Sequence, residues 1–178
     1  MTCGWVRRAQ VIIAAFAFAL ALAACGDDAD DGPFPGYTIV DATVGTTTYL
    51  VDVYPKEGVT STALPRVAVA ASSMRRSVDE QNRKVITVAA ESTNVSAEAV
   101  YSPHFSMWCG KTSLAVRTDA SDYRPNVAMA PGETATGQLV FLEGNETASC
   151  DNAELYAGAD ATRAEGPSKT IARWKLTT

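Results

Sequence analysis

The chain has 178 residues, with 15 Lys and Arg against 20 Asp and Glu, one histidine and four cysteines. A length of this order suits one domain and one core. The acidic balance argues against nucleic acid or anionic lipid as a charge-driven partner, because neutralising phosphates takes clustered Lys and Arg.

The first element is an apolar run from Val11 to Ala24, too short for a spanning helix, which needs roughly 20 residues. Arg7 and Arg8 precede it and Ala23 and Ala24 close it, giving the charged start, apolar middle and small-residue exit of a secretory signal peptide over residues 1–24. A buried core helix would show a polar stripe at helical spacing, and this run has none. The arginine pair also occurs in twin-arginine signals. Ala9 and Gln10 stand where that motif wants a large apolar residue, so general secretion of an unfolded chain is expected. The exit reads Leu22-Ala23-Ala24-Cys25, which resembles the lipobox of bacterial lipoproteins. The resemblance implies that the Cys25 thiol takes a diacylglyceryl group, that the chain is cut before it, and that the new amino terminus is open to a further acyl chain of the palmitate kind. Each buried CH₂ contributes about 0.8 kcal/mol, and two chains hold a protein stably where one does not. The implied address is the extracytoplasmic face of the cell membrane, with membrane lipid as a partner through Cys25.

Cleavage leaves 178 − 24 = 154 residues, and losing two arginines moves the formal charge from −5 to −7. Residues 25–36 carry four aspartates, two prolines and little to bury, so they read as a flexible tether that cannot offset its ordering entropy. A calcium loop is excluded because Gly32 and Ile39 occupy ligand positions. Cys3 leaves with the signal and Cys25 takes lipid. Cys109 and Cys150 remain, and outside the cytoplasm such a pair is expected to form a disulfide. Redox chemistry would instead want Cys-x-x-Cys.

From residue 37 to 178 the apolar residues alternate with a period of two, in short segments. YTIVDATV (37–44) and TYLVDVY (48–54) flank Gly45 and read as a hairpin ended by Pro55. Further strands are expected over 66–74, 84–93, 97–102, 104–110, 112–118, 137–143, 153–158 and 169–177, rich in Val, Thr and aromatic residues. Clusters of Asn, Gly, Pro, Asp and Ser separate them, and Arg75-Arg76 falls at the end of one, as a solvated loop. Strand 84–93 is apolar on both faces, with Val85, Thr87 and Ala89 opposite Ile86, Val88 and Ala90, which marks a central strand. In the last strand Ala172, Trp174 and Leu176 share a face, placing Trp174 in the core. About ten strands and no helix of consequence predict an all-β chain, an immunoglobulin-like antiparallel β-sandwich, with a small β-barrel as the alternative.

KVITVAAESTN, then Pro131-Gly132-Glu133 leading into Gly137-Gln138-Leu139-Val140-Phe141, then a terminal strand containing Trp174, resemble the immunoglobulin-like domain of unknown function found on Gram-positive and actinobacterial lipoproteins. The mycobacterial secreted immunogenic sandwich proteins are similar. The likeness spans about Arg66 to Leu176 and implies a fold and an address, with no catalytic residues to carry over.

Chemistry is sparse in the sequence. His104 is the one histidine, no Gly-x-Ser-x-Gly elbow presents a serine, and no Ser is followed by Lys three places on. The Gly-Lys-Thr at 110–112 ends no phosphate loop, since Phe105 stands at the first glycine position. One His beside a disulfide cannot make a zinc site, so neither metal nor cofactor is expected. Tyr101, His104, Trp108 and Tyr123 gather aromatic character and form the candidate binding surface, with His104, Ser106 and Trp108 alternating against Phe105, Met107 and Cys109. An exposed Trp108 would suit a sugar or a protein; packing of Trp108 against the disulfide in the core is the commoner arrangement. The function read from all this is a non-catalytic binding or scaffolding lipoprotein of the cell envelope, with an envelope protein or glycan as partner. The alternative is an envelope enzyme working through carboxylates that the sequence does not single out.

Overall fold

A computed structural model describes residues 33–34, 36–45, 48–58, 64–143, 150–159 and 170–176. The expected signal peptide, the lipidation site Cys25 and most of the expected tether lie outside the described residues. Among the described residues no helix is long and apolar enough to cross a membrane, and eleven strands occur. They are β1 (Thr38–Ala42), β2 (Tyr49–Asp52), β3 (Arg66–Val78), β4 (Lys84–Asn94), β5 (Val100–Tyr101), β6 (His104–Cys109), β7 (Thr112–Ser113), β8 (Ala128–Met129), β9 (Thr134–Leu142), β10 (Ala153–Gly158) and β11 (Thr170–Leu176).

The expected β-sandwich is what forms. One sheet runs β1-β11-β10-β6-β7, the facing one β2-β3-β4-β9, and β5 pairs with β8 in a small third sheet. All pairings are antiparallel except β1 with β11, and no barrel closes. Alternation explains the core. Val67, Val69, Ile86, Val88, Leu139 and Phe141 point inward from one sheet, and Phe105, Met107, Leu155, Ala172 and Trp174 from the other. Trp174 is 0% exposed. Its ring stacks on Phe105 at 6.3 Å and meets Tyr49 of the facing sheet edge-on at 6.1 Å. A fully buried side chain of this class contributes about 1.5–3 kcal/mol, so this trio is a principal weld between the sheets. As expected, β4 is central, between β3 and β9, and buries Val85 on its outer face as well as Ile86 and Val88 on its inner one.

The hairpin expected over residues 37–54 does not form. β1 joins β11 in parallel, Thr38 opposite Thr170, while β2 joins β3 in the other sheet, Val51 opposite Val67. Gly45, at φ 139°, donates its N–H to the Ala71 carbonyl at 2.9 Å, so this connection crosses between sheets. An isolated two-stranded ribbon is marginal in water; separated, each strand gains a neighbour in a larger sheet. Alternation records which residues face the core but not which strand is the neighbour.

Two other expectations change. β3 continues to Val78 through a bulge between Ala71 and Ser73, so Arg75 and Arg76 are strand residues rather than loop. Arg76 lies opposite Ile86, with its Nε 2.9 Å from the carboxylate of Glu143, itself 6% exposed, and its guanidinium also on the Cys150 carbonyl. The segment 112–118 is a strand only at Thr112–Ser113. It then crosses to the edge of β9, where Arg117 N–H donates to Val140 O at 2.7 Å and Leu142 N–H to Ala115 O at 2.9 Å. Cys109, ending β6, and Cys150, just before β10, are joined by a disulfide with Cα atoms 5.6 Å apart.

Candidate functional site

Two outer surfaces carry structure beyond what packing needs. The first is the outer face of the five-stranded sheet. Asp41, Arg173, Tyr156 and Ser106 are cross-strand neighbours on β1, β11, β10 and β6. Arg173 Nε donates to Asp41 at 2.6 Å and approaches Glu154 at 3.9 Å, while the Tyr156 hydroxyl donates to Glu154 at 2.6 Å. The bond from Arg173 holds the Asp41 carboxyl below its usual range, and Asp41 in turn holds the Arg173 guanidinium firmly protonated. Burial, with the Glu154 carboxylate beside it, pushes the Tyr156 phenol up to about 12.

Over this face lies Phe34. Phe34-Pro35-Gly36-Tyr37 has the sequence of a type II turn, with Pro second and Gly third. Tyr37 N–H meets Phe34 O at 3.3 Å and Gly36 stands at φ 78°, where a side chain is strained. The turn folds the Phe34 ring onto Tyr156 at 4.9 Å and edge-on to Tyr37 at 5.7 Å and Trp108 at 5.8 Å. Phe34 is 8% exposed. Aromatic pairs of this geometry contribute about 0.5–1.5 kcal/mol beyond area burial, so the last residues of the stretch read as tether include a packed one.

The second surface is a groove of about 470 Å³ on the outer side of the four-stranded sheet, between the β3–β4 turn and the segment that crosses to β9. Asp79 organises it. Its carboxylate accepts the N–H groups of Gln81 (2.9 Å) and Arg83 (2.8 Å), Arg83 Nε (2.8 Å) and an Arg117 guanidinium nitrogen (2.7 Å). Desolvation favours its protonated form, but the backbone and side-chain bonds from Arg83 and the N–H of Gln81 outweigh it and hold the Asp79 pKa below its ordinary value. Arg117 is shared with Asp119, whose carboxyl is lowered by that bond. Val85 and Val140 lie on the floor and Glu80 on the rim. Asp79, Glu80 and Asp119 outnumber the two arginines bound to Asp79, Arg83 and Arg117, by one charge, so the groove is slightly negative and disfavours anionic guests.

The residues singled out in sequence scatter. His104 and Trp108 do lie on one outer face, that of β6, opposite buried Phe105 and Met107. Trp108 is neither in the core nor fully open. Phe34 half-covers it, and its Nε1 donates to Ser106 Oγ at 3.1 Å. Tyr101 belongs to the small β5–β8 sheet. Tyr123 does not belong to any surface, being 2% exposed, edge-on to Phe105 at 5.1 Å and bonded through its hydroxyl to Ser92 (3.0 Å) and Pro103 O (3.2 Å). Its segment follows β9 inward, which the spacing around residue 123 could not reveal. Among the described residues no group of three His, Cys, Asp or Glu is placed to hold a metal. Sequence reasoning missed Phe34, Asp79 and Arg117. Pro-Gly after Phe34 was a usable signal for the first, and Asp79 four residues before Arg83 for the second, whereas nothing local pointed to Arg117. Set against protein families, curated proteins and solved structures, the chain finds no match.

Proposed function

We propose that this protein is an envelope lipoprotein, anchored through Cys25, whose sandwich binds a partner rather than transforming a substrate. The observation that carries the reading is the Cys109–Cys150 disulfide. Such bonds persist in oxidising compartments, the destination that the Leu22-Ala23-Ala24-Cys25 exit implies. Binding rather than catalysis is supported by the state of the charged groups. A general acid at neutral pH needs a raised pKa, and the carboxyls of Asp41, Asp79 and Asp119 are all lowered by their arginine partners and hydrogen bonds. Carboxylates so paired build rigid surfaces. An envelope protein or a neutral glycan suits the groove, whose net charge disfavours phosphorylated or sulfated ligands.

The test is Cys25→Ser in the native host. The parent chain is expected to lose residues 1–24, gain the mass of a diacylglyceryl group and partition into detergent, and the variant to remain uncleaved or appear in the soluble fraction. Equal intact mass and equal partitioning of the two proteins would remove the lipoprotein reading.

A further inference from the structure

We propose that the docked Phe34 sets how the domain stands on its membrane: the outer face of the five-stranded sheet is turned toward the lipid surface, and the groove at Asp79 and Arg117 is turned away from it. The proposal rests on Cys25 being the anchor and adds an orientation to it.

The argument is one of lengths. Phe34 is held on the outer sheet face by its turn and by the rings of Tyr37, Trp108 and Tyr156. Nine Cα steps separate it from Cys25, and at 3.3–3.6 Å each the chain between them reaches at most about 32 Å. A domain of roughly 140 residues has a radius of gyration near 14 Å and is about 37 Å across. Two sheets about 10 Å apart make the sandwich thinner than that from face to face, but a chain leaving the middle of one face must also run to its edge, so a leash of this length works against that face pointing away from the membrane. Were Phe34 undocked, the first fixed residue would be Thr38 in β1. Thirteen residues then reach about 45 Å, more than the domain's width, and the constraint largely lapses. The charge distribution acts weakly in the same sense, because Asp79, Glu80 and Asp119 outnumber Arg83 and Arg117 by one charge at the groove, which anionic headgroups repel. The docked face presents Arg173 already neutralised by Asp41. The surface left open to a partner is therefore the groove side.

The experiment uses the full lipidated protein, reconstituted in phosphatidylcholine vesicles carrying a lipid-bound fluorescence acceptor. A donor is attached after folding to one added cysteine, in Lys175→Cys on the exposed outer face of β11 or in Glu91→Cys on the exposed outer face of β4. Energy transfer to the lipid is expected to be severalfold stronger from position 175 than from position 91. Phe34→Ala should at least halve that difference, and Phe34→Trp should keep it. Undocking is verified independently with Trp108, which with Trp174 is one of two tryptophans left after removal of residues 1–24. Iodide should quench Trp108 more strongly in Phe34→Ala, while buried Trp174 is unaffected. Equal transfer from the two positions in the parent protein overturns the proposal, as does a difference that survives Phe34→Ala once Trp108 has become quenchable. Failure of the parent protein to float with the vesicles overturns the anchor itself, and is seen before any transfer is measured.

Discussion

Replacing Tyr123 by Phe removes a single oxygen from the core and tests two energies at once. The hydroxyl donates to Pro103 O and accepts from Ser92. At neutral pH its loss leaves the Pro103 carbonyl buried without this donor and Ser92 with only the Met129 sulfur, 3.9 Å away, which costs about 1–2 kcal/mol. The same burial pushes the Tyr123 phenol up to about 12, against an ordinary value of 10, although the Ser92 bond acts the other way. A pKa raised in the folded state gives stability that is complete below pH 10 and lost as pH rises toward 12, since the unfolded chain releases its proton first and binds fewer protons in that window. Two pKa units correspond to about 2.7 kcal/mol. The parent chain should therefore be the more stable at pH 8, the two should cross near pH 11, and Tyr123→Phe should be the more stable above it. Urea unfolding followed by tryptophan fluorescence at intervals from pH 8 to 12 measures this directly. Curves of stability against pH that stay parallel for the two proteins would refute the assignment of Tyr123 to a dry, proton-retaining site.

Gly137→Ala should lower stability by about 1–3 kcal/mol, because the new Cβ would stand 2.5 Å from the backbone nitrogen and 2.7 Å from the Cα of Tyr123, atoms that cannot swing aside; a melting temperature equal to the parent's would show that the crossing segment is loosely held on β9. Removing the disulfide as the double variant Cys109→Ala, Cys150→Ala frees a loop of 41 residues and should cost about 3–4 kcal/mol in the chain-entropy account. Calorimetry checks the cost, and recovery of two alkylatable thiols from the folded parent would contradict the bond itself.

Much of the fold was legible because burial on a pleated sheet writes itself into alternate positions. Trp174, the central strand β4 and the split of His104 from Phe105 could all be read from a period of two. Pairing was not legible in the same way. The residues of β1 and β2 fit a hairpin as well as they fit two different sheets, and only the long edge of β3 and the free edge of β11 decide between them. β8 was missed because two residues, Ala128 and Met129, are too few to show a period. Of the candidate surface, Trp108 shares a face with His104 as the alternation predicts, whereas Tyr123, grouped with them only as one more nearby aromatic residue, is buried although its neighbours Ser121, Asp122 and Arg124 are polar. Those polar neighbours are themselves spent on the scaffold: Ser121 Oγ accepts the Val140 N–H at 2.9 Å, and Asp122 accepts that of Gln138. Asp79 and Arg117 are 38 residues apart, and a contact at that separation leaves no trace in local pattern.

The parallel pairing of β1 with β11 has a mechanical consequence. Thr38 and Thr170 lie side by side at one end of the pair, and Ala42 and Trp174 four steps along. A force applied ahead of the start of β1, once it has drawn Phe34 off its ring contacts, and an opposite one at Leu176 would pull the two strands past each other. The two strands are then asked to slide rather than to unzip, so their ladder bonds bear the load together. An antiparallel neighbour in the same place would peel open one bond at a time. This edge of the sandwich is thus built to resist tension applied between the start of β1 and the end of β11.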